Sequence, residues 1–156
     1  MDRSKLRNEL IRDEGLKLTA YQDINGFWTI GVGHLLGTER RMVSITVQEA
    51  DALLDYDVSV ALEAVKRVFP KANLDGNFPR ISDVRLRALV NMMFNRGEAR
   101  MRESTSITPA IRVAIQTDAV TSWAQVAVAI MTSPWAKQVG DRAHRLALML
   151  GTGVTA

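Results

Sequence analysis

Four side chains within one short stretch of the chain are of types that could do chemistry together. Residues 13–34 read DEGLKLTAYQDINGFWTIGVGH and contain the carboxyl groups of Glu14 and Asp23, the hydroxyl of Thr29 and the imidazole of His34. Cleavage of a glycosidic bond needs two carboxyl groups. One is neutral and protonates the leaving oxygen, and the other is ionised and activates water or attacks the sugar. The alternative is a tight turn with a few solvated acids.

Other catalytic chemistries find less support in the residue types. The chain has no Cys, which excludes a thiolate nucleophile or ligand, and its two His lack the spacing of metal ligands. No Ser lies in a nucleophile-elbow motif. The GVG triplet lacks the further Gly and the Lys of a phosphate-binding loop. We therefore predict neither a metal nor a cofactor.

The first element that must position these groups is a helix over residues 4–14. Leu6, Leu10 and Ile11 recur at helical spacing, and Gly15 is a typical stop after a helix. Glu14 would close this helix, where the negative end of the macrodipole disfavours a charged carboxylate. That position suits a proton donor, although a solvated helix end is the simpler interpretation of Glu14 alone.

A β-hairpin is predicted to follow. The runs LTAYQD and FWTIGVGHLL flank DINGF, and an Asn-Gly pair between such runs is a strong hairpin signal. Asp23 opens the turn, and taken alone it is best interpreted as an Asx-turn residue. A helix end beside a hairpin could bring the two carboxyl groups to opposite walls of a cleft.

The second strand is predicted to alternate its side chains between two faces. One face would carry Phe27, Thr29, Gly31 and Gly33, and the other Trp28, Ile30, Val32 and His34. The glycines would leave the first face open to the close approach of a ligand or of another backbone. The alternative is a β-bulge or a sharp bend, and His34 alone is best interpreted as a structural histidine bonded to a carboxylate.

The rest of the chain has mostly helical patterns. A capping box at Thr46–Glu49 opens a helix over 46–69, and Ser82 opens a helix that is apolar on most faces and ends at Gly97. Thr108-Pro109 and Ser133-Pro134 are typical helix starts. Residues 71–81 are predicted to form a loop, and the C-terminal GTGVTA a loose tail. The pattern predicts an α+β, mainly helical fold.

The amino-acid composition indicates which classes of binding partner to expect. The 156 residues are 47% hydrophobic and carry a net charge of +3, with Lys and Arg scattered along the chain. Basic residues of a duplex-binding protein are usually concentrated, so we expect no nucleic-acid partner. No apolar run approaches the ~18 residues of a membrane span. The N-terminus lacks the apolar core of a signal peptide, which predicts a protein that starts in the cytoplasm.

The order of these motifs resembles a known family. LIRDEG followed by AYQDINGFWTIGVGHLL is similar to the N-terminal signature of the phage-type lysozymes, the muramidase endolysins. ITVQEADALLDYDV, ALVNMMFNRGE and SPWAKQVGDRAHR resemble later segments of that family. The resemblance implies one two-lobed lysozyme domain over residues 1–156. Its β-containing lobe would span 15–57, its interlobe helix 46–69 and its helical lobe 70–156, with helix 4–14 packed on the helical lobe.

The resemblance also implies roles for the reactive groups. Glu14 matches the general acid, Asp23 the carboxylate that activates or positions the attacking water, and Thr29 the hydroxyl that helps to hold it. Such a reaction inverts the sugar and requires about 6.5–9.5 Å between the carboxyl groups. His34 matches a histidine that pairs with Asp57 on the interlobe helix.

Further matches concern the surroundings of these groups. Arg142 matches a basic residue that contacts the catalytic acid, and Leu35 and Phe94 match positions that touch the glycan. Asn91 and Asn95 fall nearby and could bond it. Gly31 and Gly33 belong to the Thr-Ile-Gly-x-Gly-His motif. The chain departs from the family at the short segment GTERRMVS and at residues 98–107, EARMRESTSI.

The implied function is that of an endolysin. It would hydrolyse the β-1,4 bond between N-acetylmuramic acid and N-acetylglucosamine in peptidoglycan and so cause lysis. We expect a monomer that waits in the host cytoplasm until a separate membrane-permeabilising protein gives it access to the periplasm and wall. Two alternatives stay open: a lytic transglycosylase, which needs no water-positioning carboxylate, and a cationic protein that disturbs membranes.

Overall fold

The computed structural model describes residues 1–23, 25–72, 74 and 81–156. They form two compact units, which we call the sheet unit (residues 3–60) and the helical unit (residues 1–2 and 61–156). The division falls inside one long helix, which contributes to both. The lobe boundaries implied by the resemblance, and the packing of helix 4–14 on a helical lobe, stay predictions. Most of the predicted loop over 71–81 lies outside the described residues.

The predicted α+β, mainly helical class is confirmed. The elements in chain order are α1 (Arg3–Glu14), β1 (Lys17–Gln22), β2 (Trp28–Gly31), β3 (His34–Gly37), α2 (Val47–Val68), a single 3-10 turn (Pro70–Ala72), α3 (Asp83–Arg102), α4 (Ile107–Thr117), α5 (Val120–Met131), α6 (Pro134–Val139) and α7 (Asp141–Thr152). Within the described ranges, no helix is long and apolar enough to span a bilayer.

Helix α1 of the sheet unit forms almost as predicted. Leu6 and Leu10 are completely buried, as their spacing on one helical face requires. The N–H of Gly15 bonds the carbonyl of Ile11 at 2.8 Å, and Gly15 has a φ of +77°. This left-handed residue ends the helix directly after Glu14. The carboxyl group is therefore fixed at the C-terminal end of α1.

The sheet is antiparallel with the order β1-β2-β3. The predicted hairpin is confirmed, because β1 and β2 are joined by the turn that Asp23 opens. Tyr21 lies opposite Thr29 in this pair, and Gln22 lies opposite Trp28. Residues directly opposite in an antiparallel pair have their side chains on the same face. The register therefore places Tyr21 beside Thr29.

The long second strand predicted from the sequence is wrong. Strand β2 ends at Gly31, and β3 begins at His34, which lies opposite Ile30. Gly31 and Gly33 have φ values of +64° and +73°, a region that favours glycine. The sharp bend, which was the alternative interpretation, is what forms. The predicted alternation of faces therefore fails after Gly31.

A segment that the sequence did not predict covers the other edge of β1. The N–H of Ala20 bonds the carbonyl of Val43 at 2.9 Å, and the N–H of Ile45 bonds the carbonyl of Leu18 at 2.8 Å. The end of the atypical GTERRMVS segment thus runs along β1. It satisfies backbone groups that an open edge strand would leave exposed.

Helix α2 begins at the predicted capping box. The N–H of Glu49 bonds the Thr46 hydroxyl at 3.2 Å, and the N–H of Thr46 bonds a carboxylate oxygen of Glu49 at 2.7 Å. These bonds from Thr46, first from its backbone, hold the pKa of Glu49 below its ordinary value. The helix spans Val47–Val68, close to the predicted range.

The core of the helical unit is built around α3. Residues 86–93 are all buried, which confirms the helix predicted to be apolar on most faces. The Ser82 hydroxyl accepts a hydrogen bond from the N–H of Arg85 at 3.3 Å, as an N-cap should. Gly97 has non-helical angles (φ 75°, ψ 161°), but the chain resumes a helix to Arg102. The predicted end at Gly97 is thus a kink.

The predicted start of α4 at Thr108-Pro109 is wrong. The helix begins at Ile107, whose N–H bonds the Ser104 hydroxyl at 3.1 Å. Thr108 is buried and donates its hydroxyl to the carbonyl of Met101 at 2.5 Å. Its side chain therefore ties α4 to the preceding segment instead of capping the helix.

The two remaining local predictions for the helical unit had opposite outcomes. The start at Ser133-Pro134 is confirmed, because the Ser133 hydroxyl accepts from the N–H of Ala136 at 3.3 Å. The loose C-terminal tail is wrong. The Thr155 hydroxyl accepts a hydrogen bond from the guanidinium of Arg87 at 3.0 Å, and Arg87 is almost fully buried. This bond holds the tail against α3.

Candidate active site

Glu14 lies against the bend between β2 and β3. A Cβ built on Gly33 would lie 3.5 Å from Oε2 of Glu14 and 3.6 Å from its Cδ, so the carboxyl group approaches the backbone closely. Glu14 is half-buried at this position. The left-handed φ of Gly33 favours glycine there, whereas the distance to the carboxyl group is an ordinary van der Waals contact that a Cβ could make.

Asp23 is both the turn residue that the simple interpretation expected and a candidate for chemistry. Its Oδ1 accepts hydrogen bonds from the N–H groups of Asn25 at 2.9 Å and Phe27 at 2.8 Å, which is an Asx turn. Among the residues that the structure describes, none forms a hydrogen bond with Oδ2. One oxygen thus holds the carboxylate in place, and the other can accept a bond from water.

Thr29 is joined to Asp23 through the backbone of Phe27. The carbonyl of Phe27 accepts a hydrogen bond from the N–H of Asp23 at 2.8 Å and a long one from the Thr29 hydroxyl at 3.5 Å. Thr29 is only 6% exposed. The hydroxyl and the carboxylate therefore belong to one small hydrogen-bonded unit, and a movement of the turn would displace both.

The open strand face expected beside Thr29 is not present at Gly31. A Cβ built on Gly31 would lie 3.7 Å from the side chains of both Ile45 and Ala50. The space is therefore filled by the segment that covers β1 and by α2. At Gly31 it is therefore the other predicted alternative, the close approach of a backbone, that forms, since Cα of Ala50 would lie 3.8 Å from that Cβ. At Gly33 the neighbour is the Glu14 side chain, and an opening to a ligand there stays a prediction.

Sequence reasoning gave no role to Tyr21, which links the two acids electrostatically. Partial burial raises the pKa of the Tyr21 hydroxyl, and the nearby negative charges of Glu14 and Asp23 raise it further. Both carboxyl groups are thus close enough to act on one phenol. The Tyr-x-Asp spacing on a strand paired with that of Thr29 was the signal that could have identified it.

His34 and Asp57 form the contact that the resemblance implies. Nδ1 of His34 lies 2.8 Å from Oδ2 of Asp57, and each side chain is 21% exposed. The bond joins the first residue of β3 to α2 within the sheet unit. It fixes the strand that follows the bend at Gly33, so its effect on Glu14 is indirect.

Three of the residues predicted to contact the glycan remain candidates. Leu35 on β3 is 58% exposed, and Phe94 and Asn95 on α3 are half-buried. Oδ1 of Asn95 accepts a hydrogen bond from the indole N–H of Trp135 at 2.9 Å. The contacts of these residues with a sugar stay predictions.

The predicted contact of Asn91 with the glycan is wrong. Asn91 is completely buried in the helical unit, and its Oδ1 accepts a hydrogen bond from Nε of Arg142 at 2.9 Å. Its backbone carbonyl accepts a second bond from Arg142 at 3.3 Å. Asn91 therefore orients Arg142, which is 5% exposed. The predicted contact between Arg142 and Glu14 stays a prediction.

Comparison with known proteins gives consistent matches along the chain. The profile of the phage lysozyme family matches residues 12–132. Probable T4-type lysozymes 1 and 2 of Dictyostelium discoideum are 26% and 24% identical to the chain, and each match covers 96% of the chain and 95% of the relative. The pre-baseplate central spike protein Gp5 of Enterobacteria phage T4 is 27% identical over 92% of the chain, which corresponds to 27% of the spike protein.

Proposed function

Because the chain belongs to the phage lysozyme family, and is therefore a muramidase that acts on peptidoglycan, we propose that Glu14, Asp23 and Thr29 carry out the hydrolysis. The bond cleaved is the β-1,4 bond between N-acetylmuramic acid and N-acetylglucosamine. The observation that carries the assignment is geometric: Asp23 and Thr29 are joined through the carbonyl of Phe27, and the carboxyl group of Glu14 lies against Gly33 in the bend that follows the strand of Thr29.

In the proposed mechanism the two carboxyl groups have different tasks. Glu14 protonates the glycosidic oxygen as the bond to the anomeric carbon breaks. A water held by Asp23 and Thr29 attacks that carbon from the opposite face, and Asp23 accepts the proton that the water loses. The anomeric configuration is therefore inverted. These steps use only protein side chains and water.

The local structure supports this division of tasks. The backbone N–H groups of Asn25 and Phe27 hold Oδ1 of Asp23 in place and leave Oδ2 to accept a proton from water, as a base requires. Glu14 is half-buried at the C-terminal end of α1 and lies against the backbone at Gly33, so its carboxyl group is held in one place.

The assignment is tested by loss of turbidity of purified cell walls. Glu14→Gln and Asp23→Asn should each reduce the rate by about 10²- to 10⁴-fold, because a positioned proton donor or acceptor contributes a factor of that size. Glu39→Gln, a matched change at an exposed carboxylate, should keep the wild-type rate. Full activity in both active-site variants would show that the site has been assigned wrongly.

The products test the mechanism separately. Proton NMR directly after cleavage should show the α-anomer at the new reducing end, as inversion of a β-bond requires. A β-anomer would mean retention and would contradict the role given to Asp23. Anhydromuramic ends in the mass spectrum would identify a lytic transglycosylase instead.

We also propose the biological role of an endolysin. The supporting observation is the similarity of the N-terminal motif and of most of the chain to the muramidase endolysins. The protein would act as a monomer, would remain in the host cytoplasm, and would reach the wall through a separate membrane-permeabilising protein. Induced expression should lyse cultures only when a pore-forming protein is expressed with it. Lysis by the chain alone would contradict this role, and lysis by Glu14→Gln would favour membrane disturbance.

A further inference from the structure

We propose that Tyr21 is a positioning residue of the hydrolysis, whose neutral hydroxyl makes the third hydrogen bond to the water held by Asp23 and Thr29. The inference rests on the proposed function. It gives a role to Tyr21, which takes part in no step of the mechanism proposed above. Tyr21 would act through this water and not on the sugar itself.

The register of the sheet places Tyr21 at the right position. It lies directly opposite Thr29 in the β1–β2 pair, so the two side chains stand on the same face. It also precedes Asp23 by two residues, immediately before the turn that fixes the carboxylate. A water between Asp23 and Thr29 therefore lies beside the phenol ring.

Lys17 restrains the ring. Its Nζ lies 3.8 Å from the centre of the Tyr21 ring, a cation–π contact between two residues of β1. The contact stabilises one orientation of a side chain that is only half-buried. Lys17 also brings a positive charge toward a site with two carboxyl groups. We therefore include Lys17 as the residue that holds Tyr21 in place.

The hydroxyl has the hydrogen-bonding capacity that the task needs. Burial and the two neighbouring carboxylates raise the pKa of Tyr21, so the phenol stays protonated throughout the range in which the carboxylates work. A neutral phenol both donates and accepts. It can donate its proton to a carboxylate oxygen and accept the second proton of the attacking water, while the Thr29 hydroxyl turns from its long bond with the Phe27 carbonyl to donate to that water. That water then directs a lone pair at the sugar.

The test is Tyr21→Phe, which removes the hydroxyl and keeps the ring. On soluble, uncrosslinked glycan chains, kcat should fall about 10- to 100-fold, the value of a hydrogen bond to a charged group. KM should change by less than about twofold, because the hydroxyl acts after substrate is bound. Tyr56→Phe is the matched control, since Tyr56 lies on α2 and is 63% exposed. It should leave both constants unchanged.

Substitution of Lys17 separates charge from packing. Lys17→Met keeps the long apolar stem and should lower kcat by a smaller factor than Tyr21→Phe, whereas Lys17→Arg keeps the cation and should restore the wild-type value. The thermal midpoints of all variants should equal that of the wild type. A fall in kcat accompanied by an equal loss of folded protein would mean that Tyr21 only supports the fold, and would overturn the proposal.

Glu14→Gln, measured in the same assay, distinguishes a failure of this inference from a failure of the proposed function. If Glu14→Gln is inactive and Tyr21→Phe keeps the wild-type kcat, this inference is wrong and the proposed function stands. If Glu14→Gln keeps its activity, the proposed function fails and removes the basis of this inference.

Discussion

The two units of the molecule differ in net charge and in the kind of backbone structure that each contains. The sheet unit carries 7 Lys or Arg against 9 Asp or Glu, whereas the helical unit carries 13 against 8. The proposed acid and base thus lie in the more acidic unit, and the basic excess lies in the other. A basic surface attracts an anionic polymer such as the bacterial wall, so the helical unit is suited to attract the polymer that the proposed acid and base of the sheet unit would cleave.

The two units also differ in backbone structure. In the sheet unit, short strands and left-handed glycines bring polar groups together, as at Gly33 beside Glu14. In the helical unit, long helices bury apolar side chains along α3. The comparison suggests that substitutions in the sheet unit should affect activity more than stability, and that substitutions in the helical core should do the reverse.

The largest effect is expected from Leu89→Ala in the helical core. Leu89 is completely buried, and removing such a side chain costs about 2–5 kcal/mol of unfolding free energy. The activity per folded molecule should not change, because Leu89 lies outside the proposed site. Urea unfolding and the wall assay measure the two quantities. Leu148→Ala, at a position 49% exposed on α7, should cost less than about 0.5 kcal/mol.

Two glycines with nearly the same φ, one in each unit, test this difference between the units. Gly33 and Gly97 have φ values of +73° and +75°, but only Gly33 lies against a catalytic candidate. Gly33→Ala should reduce activity about 10- to 100-fold, since a displacement of about 1 Å can cost that much. Gly97→Ala should cost about 1–3 kcal/mol of stability through backbone strain and leave activity unchanged. Equal losses of activity in the two variants would contradict the role of Gly33.

A feature could be predicted from the sequence when the residues that determine it lie close together along the chain. Helix α1, the hairpin and the capping box at Thr46 are set by residues within one or two turns, and all three were predicted. The bend at Gly31 could not be chosen over a continuous strand, because both use the same alternating residues. The choice depends on Ile45 and Ala50, which fill the space beside Gly31.

The same dependence on sequence distance applies to the candidate site. Glu14, Asp23 and Thr29 were predicted as site residues from one ordered motif, and the local Asx turn accounts for the position of Asp23. Asn91 was misjudged because neither its burial nor its hydrogen bond with Arg142, 51 residues further along the chain, can be read from the residues around it. Tyr21 was missed for a related reason. The role proposed for it depends on the cross-strand register with Thr29 and on two nearby carboxyl groups, none of which its own residue type reveals.

An intermediate effect is expected from the bond between His34 and Asp57. In a double-mutant cycle of His34→Ala and Asp57→Ala, the coupling energy should be about 1.5–3 kcal/mol, as for a hydrogen bond to a charged group. The exposed pair of Glu63 and Lys66 in the helical unit, 2.8 Å apart, should give a coupling of only about 0.2–0.5 kcal/mol. Equal couplings would mean that the His34 bond is no better than a surface pair.

A smaller effect is expected at Glu98, next to the kink of α3 at Gly97. Glu98 accepts hydrogen bonds from Arg67 at 2.7 Å and from Arg102 at 2.7 Å, and these two partners, Arg67 first, lower its pKa to about 2. A carboxyl group with a lowered pKa stabilises the fold above its unfolded value, here near 4.5, and loses that contribution as the pH falls toward 2. The wild type should therefore melt above Glu98→Gln at pH 6, and the difference should shrink by pH 2.

The corresponding carboxylate of the sheet unit should respond less. Glu49 has a lowered pKa because of hydrogen bonds from Thr46, first from its backbone, and its partners are neutral. Gln can accept the same bond from the N–H of Thr46, so Glu49→Gln removes only the charge at the start of α2. The difference in melting temperature from wild type should be smaller than for Glu98→Gln at pH 6, and should also shrink on acidification. A larger loss for Glu49→Gln would mean that the cap contributes more than the two-arginine cluster, and would reverse the ranking of the two units.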